Sequence, residues 1–114
     1  MYDTTIAKKY VSKINNAKQL GHKFSLTFAE FKRLMNTEKC AYSGIILTDD
    51  KDKFSSRTID RLNNKFGYIR GNVRAVAYGI NMLKAQIENP NNPMTVDMFY
   101  KTAKLLKKEM KEEE

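Results

Sequence analysis

Asp60, Asn72 and Asn81 are the residues of this chain whose types and spacing could do chemistry. The first lies in Arg57-Thr-Ile-Asp-Arg-Leu62, the second closes the loop Gly67-Tyr-Ile-Arg-Gly-Asn-Val73, and the third opens Asn81-Met-Leu-Lys84. Carboxylate and amide oxygens are hard donors, suited to Mg²⁺ or Mn²⁺. Hydrolysing a phosphodiester requires a Lewis acid at the phosphoryl and leaving oxygens, a base for the attacking water, and positive charge around the phosphate. One hard cation can serve with only two protein oxygens, because phosphate and water complete its shell. Asp60 and Asn81 are the expected metal ligands. Asn72 is expected to bond backbone groups across its loop and so hold the strand register.

These residues need a strand, a loop, a second strand and a helix to position them. Thr58 to Leu62 alternates as a strand does, and Val73 to Ala77 reads as a second strand, with a glycine-punctuated loop between. After Tyr78 the spacing of Ile80, Leu83 and Ile87 predicts a helix, which the prolines at 90 and 93 must end. Upstream, Ile6, Tyr10, Val11, Ile14, Ala17 and Leu20 predict a basic amphipathic helix ending near Gly21. Lys23 to Leu26 reads as extended. Thr27-Phe-Ala-Glu30 is a capping-box pattern that opens a second helix running to about Asn36. Thr95 is placed to cap a last helix, whose Phe99, Ala103, Leu106 and Met110 form one stripe, read as core.

Charge points to a polyanionic partner. The chain of 114 residues carries +8, with a pI near 9.6. Glu109 to Glu114 holds four glutamates and one lysine, a net of −3, which leaves +11 on the rest. No stretch has the roughly 18 to 20 consecutive apolar residues of a membrane span, and the N-terminus lacks a signal-peptide apolar core. The expectation is a cytoplasmic protein with no membrane contact, a monomer or weak dimer. Cys40 is the only cysteine. It permits neither an internal disulfide nor a four-cysteine structural zinc site. In Cys40-Ala-Tyr-Ser-Gly44 a serine stands where a second thiolate would be.

Residues 38 to 84 resemble the HNH (His-Me finger) endonuclease family, in its small phage and mobile-element form. The resemblance rests on Cys40, Ser43, Gly44, Asp60, Arg61, Gly67, Tyr68, Gly71, Asn72, Val73, Asn81 and Lys84. It implies an α+β fold with a ββα-metal core, two N-terminal helices and one C-terminal helix. It also implies one domain over 1–114, with a helical extension at 1–37, the core at 38–89, and the C-terminal helix with its acidic tail at 94–114. The implied activity is a metal-dependent endonuclease or nickase acting on DNA, homing-endonuclease-like, working in the host cytoplasm if phage-encoded.

The chain departs from the family at one catalytic position. Arg61 stands where the general-base histidine follows the aspartate, and a guanidinium cannot activate water. The only histidine, His22, lies outside the motif and reads as an exposed turn residue. Two readings therefore share one frame: an active HNH nuclease, with Arg61 and Asn72 at its catalytic positions, and a catalytically lost HNH-fold protein acting as a DNA-binding or inhibitory module. A third reading is a protein-partner module that uses the basic helices. For DNA, Lys8, Lys9 and Lys13, with Lys18 and Lys23, are placed to track phosphates, and Arg57, Lys65, Arg70, Arg74 and Lys84 to surround the site. Lys101, Lys104, Lys107 and Lys108 read as a solvated helix face.

Overall fold

The structure is a computed structural model that describes residues 2–113; Met1 and Glu114, the latter part of the acidic tail, lie outside it. Its elements are α1 (Asp3–Gln19), α2 (Phe28–Met35), β1 (Arg57–Arg61), β2 (Val73–Ala77), α3 (Tyr78–Glu88) and α4 (Val96–Glu113). This is the expected α+β architecture, with β1, β2 and α3 as the ββα unit. By compactness the chain divides into Met1–Asn81 and Met82–Glu114.

In the first unit β1 and β2 form an antiparallel pair whose register runs from Arg57↔Ala77 to Arg61↔Val73. Strand β1 begins one residue earlier than its alternation suggested. Helix α2 opens on the capping box: Thr27 Oγ1 accepts from the Glu30 amide at 3.2 Å, and the Glu30 carboxylate accepts from the Thr27 amide at 2.9 Å. The Thr27 amide first and its hydroxyl next, with a lesser contribution from the nearby Arg70 and Arg33, hold the Glu30 carboxyl below its usual range. Helix α1 closes through Leu20, with Gly21 at φ +74° where a side chain would be strained.

Three apolar clusters surround the hairpin. Ile6, Phe31 and Met35 join α1 to α2, with Tyr10 edge-on to Phe24, Phe28 and Phe31. Ala17, Leu26 and Tyr68 form a second cluster, and Ile59 of β1 touches both. Cys40, Leu47, Ala75, Val76 and Ala77 form the third, with Ile80 of α3 against it. Cys40 is thus a buried apolar residue. Burial pushes its thiol up, but hydrogen bonds from Ser43, Ala77 and Tyr42 outweigh that and leave it below the ordinary value. Val11 and Leu20, part of the apolar spacing that predicts α1, are exposed.

Gly67 is explained by contact and not by turn geometry. A Cβ there would lie 2.1 Å from the Lys23 carbonyl oxygen, because the Tyr68 amide donates to that oxygen at 2.7 Å and Ser25 donates back to Tyr68. This short parallel bridge ties the segment after α1 to the β1–β2 loop. Gly71, by contrast, does take a positive φ, +84°.

In the second unit Thr95 caps α4 through its hydroxyl, which accepts from the Met98 amide at 3.1 Å. The α4 stripe is not a core: Phe99 is half-buried, but Leu106 and Met110 are 50% and 64% exposed. Amphipathic spacing shows that a face favours burial and does not supply a partner. Within this unit only the end of α3 and the linker are at hand.

Candidate active site

The hairpin sorts β1 by its pleat. Successive side chains alternate between faces, so Thr58 and Asp60 share one and Arg57, Ile59 and Arg61 the other. Asp60 is 7% exposed, opposite Arg74 of β2. Thr58 donates to the Val76 carbonyl at 2.6 Å and accepts from Asn81 Nδ2 at 3.1 Å. Helix α3 follows β2 without a loop, pinned by Tyr78 N to Ser56 O and Gly79 N to Phe54 O. One turn into it, with Ile80 turned to the core, Asn81 meets the Thr58–Asp60 face. Its amide nitrogen is engaged by Thr58, so the carbonyl Oδ1 is the atom for a cation to take.

Asn72 is buried and bonds both sides of its loop. Its Oδ1 accepts from Asn63 N at 3.0 Å, and its Nδ2 donates to the carbonyls of Asn63 and Gly67 at 3.2 and 2.9 Å. Its main chain also closes on Leu62 and Ile69. The eleven residues between the strands thereby become a braced loop.

The other face of β1 carries the arginines. Arg57, expected beside phosphate, is used by the fold. Its guanidinium donates to the carbonyls of Leu34 and Thr37 at the end of α2 and pairs with Asp49 at 3.2 Å, with the side chain only 8% exposed. Cationic groups suit the unsatisfied carbonyls of a helix C-terminus. Arg61 donates to the carbonyls of Asn64 and Phe66, stacks over Tyr68 at 5.5 Å, and lies 3.3 Å from His22 Nδ1.

His22 is therefore not an exposed turn residue. It is half-buried, edge-on to Tyr68 and against Arg61. A guanidinium has only donors, so His22 Nδ1 accepts, and in the neutral ring the proton sits on Nε2. Sequence separation hid this contact, since 39 residues part the two. The parallel bridge at Phe24–Tyr68, which brings them together, leaves no mark beyond Gly67.

The remaining expected DNA contacts are scattered. Lys8 and Lys65 are exposed; Arg70 is 92% exposed, 3.9 Å from Glu30; Arg74 lies over the Tyr42 ring at 5.8 Å. Lys13 Nζ is 4.6 Å from the Tyr68 ring centre. Lys84 is 16% exposed and pairs with Glu88 at 3.7 Å. Among the described residues no group of three or more His, Cys, Asp or Glu is assembled for a metal, and no helix is long and apolar enough to cross a membrane.

No protein-family model matches the chain. Over 70 residues, 61% of its length, it is 33% identical to an uncharacterized 29.0 kDa protein from the dda-modA intergenic region of Enterobacteria phage T4. That match spans only 28% of the phage protein. Among solved structures it is similar to the rare-cutting HNH restriction endonuclease PacI, with a TM-score of 0.56 and 19% identity, over 81% of this chain and 69% of that one. That superposition, together with the antiparallel β1–β2 pair running directly into α3, establishes that this chain adopts the HNH-type nuclease fold.

Proposed function

We propose that this protein is a DNA-binding HNH-type endonuclease or nickase that hydrolyses phosphodiester bonds with one divalent metal. The observation that carries the reading is that Asp60, Thr58 and Asn81 share one side of the ββα unit, with Asn81 oriented by Thr58. The donor chemistry fits: a buried carboxylate and an amide carbonyl are hard oxygens that suit Mg²⁺ or Mn²⁺, with phosphate and water filling the shell. When bound, such an ion supplies Lewis-acid stabilisation of the phosphoryl and leaving oxygens. Arg74, across the strand from Asp60, adds positive charge beside the phosphate. Asn72 keeps the loop rigid, so that the carboxylate and amide stay where a phosphate meets both.

The proton of the attacking water is the weak point. Arg61 cannot accept it, and His22 holds its Nδ1 lone pair toward Arg61. Slow turnover is expected. The same observation favours the second reading, a catalytically lost relic that binds DNA, because Arg61 already has a bracing task in the loop.

Incubating the pure protein with supercoiled plasmid separates the two. Open circles should form with Mg²⁺ or Mn²⁺ and not with EDTA. Intact plasmid in every condition, with duplex binding retained, replaces the nuclease by the relic.

A further inference from the structure

We propose that α1 forms the second wall of the substrate groove, and that the cleft between it and β1 holds the sugar–phosphate backbone of one nucleic-acid strand. The inference rests on the nuclease reading for the place of the reacting phosphate, beside Asn81.

The cleft has a volume of about 600 Å³. One wall is a single face of α1: Lys9, Ser12, Lys13 and Asn16 recur at the three- and four-residue intervals that stack side chains along a helix. The facing wall holds Thr58 and Asn81, and Ile59 and Phe31 contribute apolar lining. No carboxylate lines it. Lys9 and Lys13 have no ion pair among the described residues, and the only partner of Lys13 is the Tyr68 ring. Besides these two lysines the only charged group lining the cleft is Arg57, whose guanidinium is held by Asp49 and by main-chain carbonyls, so the two lysines face an otherwise neutral lining that attracts an anion and gives it hydrogen-bond donors.

The spacing narrows the choice of anion. Four residues of helix advance about 6 Å, so Lys9 and Lys13 are set one nucleotide step apart along a strand, where an isolated phosphate would need only one. The volume falls in the range of about 300 to 1,000 Å³ that accommodates a single ligand. It therefore has room for one backbone, whether of a separated strand or of a paired site.

The test is the salt dependence of binding to labelled single-stranded and duplex oligonucleotides. Each phosphate contact contributes about −0.7 on single strands and −0.9 on duplex to the slope of log affinity against log salt. The double variant Lys9→Gln/Lys13→Gln should flatten the slope by roughly 1.4 to 1.8 and weaken binding at low salt at least tenfold. Lys107→Gln/Lys108→Gln removes the same charge from exposed positions of α4 and should change the slope by less than about a third of that. Because Lys13 also packs on Tyr68, Asn16→Asp serves as a second probe. It sets a carboxylate in the groove from an exposed position and should weaken binding at least fivefold at unchanged melting temperature. Equal flattening by the two double variants, or wild-type affinity in Asn16→Asp, overturns the groove while leaving plasmid nicking as evidence for the nuclease. A wild-type protein that binds neither oligonucleotide overturns both. A larger effect on single strands identifies a separated strand as the occupant; a larger effect on duplex identifies one backbone of a paired site.

Discussion

The two faces of β1 differ in what their polar groups do. On one, Arg57 and Arg61 are tied to main-chain carbonyls, to Asp49 and to His22, and Ile59 packs between two clusters. On the other, Thr58 accepts from Asn81, and Asp60, on the same face of the pleat, is a buried carboxylate. Burying a charge costs several kcal/mol unless it is well paired, so a fold keeps one where a partner or a reaction uses it. Asp60 and Arg61 read in sequence as one dipeptide. The pleat divides them into a candidate ligand and a brace.

The most severe way to break this comparison is on the Asp60 face. Asp60→Ala and Asn81→Ala should each abolish Mn²⁺ binding by calorimetry and lower metal-dependent nicking at least about 10³-fold, roughly 4 kcal/mol in barrier. DNA affinity should change little. Retained Mn²⁺ binding in both variants would place the ion elsewhere and leave Asp60 as no more than a buried strand residue.

Asn72 belongs to neither face and tests the scaffold common to both. Asn72→Ala removes three side-chain hydrogen bonds to the loop main chain and leaves the Asn63 amide and the Gly67 carbonyl without those partners. The expected loss is about 2 kcal/mol in denaturant unfolding, with the melting temperature lowered. The Gly67 carbonyl keeps its bond from the Ile69 amide, so the loss falls mainly on the Asn63 N–H, which water entry would have to restore. A variant with wild-type stability and reduced nicking would move Asn72 from brace to chemistry.

How much of this was legible in sequence follows the range of the interactions involved. The Thr27–Glu30 capping box and the Asn72 loop show in the chain because their partners lie within about ten residues, and the ββα unit shows because strand alternation and helical spacing are local patterns, even though its strands pair across as many as 20 residues. Arg57 did not: its partners at Leu34 and Thr37 are 23 and 20 residues away, and an arginine bound for a helix end looks the same as one bound for phosphate. His22 was misread for the same reason. The stripe of α4 has the periodicity of a core without the burial, whereas α1, of similar length and lysine content, buries Ile6 and Ala17 completely. Periodicity gives each helix a face; only the surrounding elements decide whether that face is covered.

The smallest expected effect sharpens the comparison most, because it asks whether position 61 is only a brace. Arg61→His replaces a group that cannot accept a proton with one that can at neutral pH. If the twist at the end of β1 leaves that position within reach of the attacking water, nicking should rise at least tenfold, about 1.4 kcal/mol in barrier. The same change shortens the side chain and releases the carbonyls of Asn64 and Phe66, so stability should fall by roughly 1 kcal/mol. Rate and stability thus move in opposite directions for one substitution, which a purely structural residue would not produce. The rate should also acquire a limb that rises with pH through the imidazole range, absent from wild type, since only the neutral ring can take the proton. A folded Arg61→His protein that binds Mn²⁺ and DNA yet gains neither rate nor that limb assigns Arg61 wholly to the bracing face, and the base must then be sought among the groups that face Asp60.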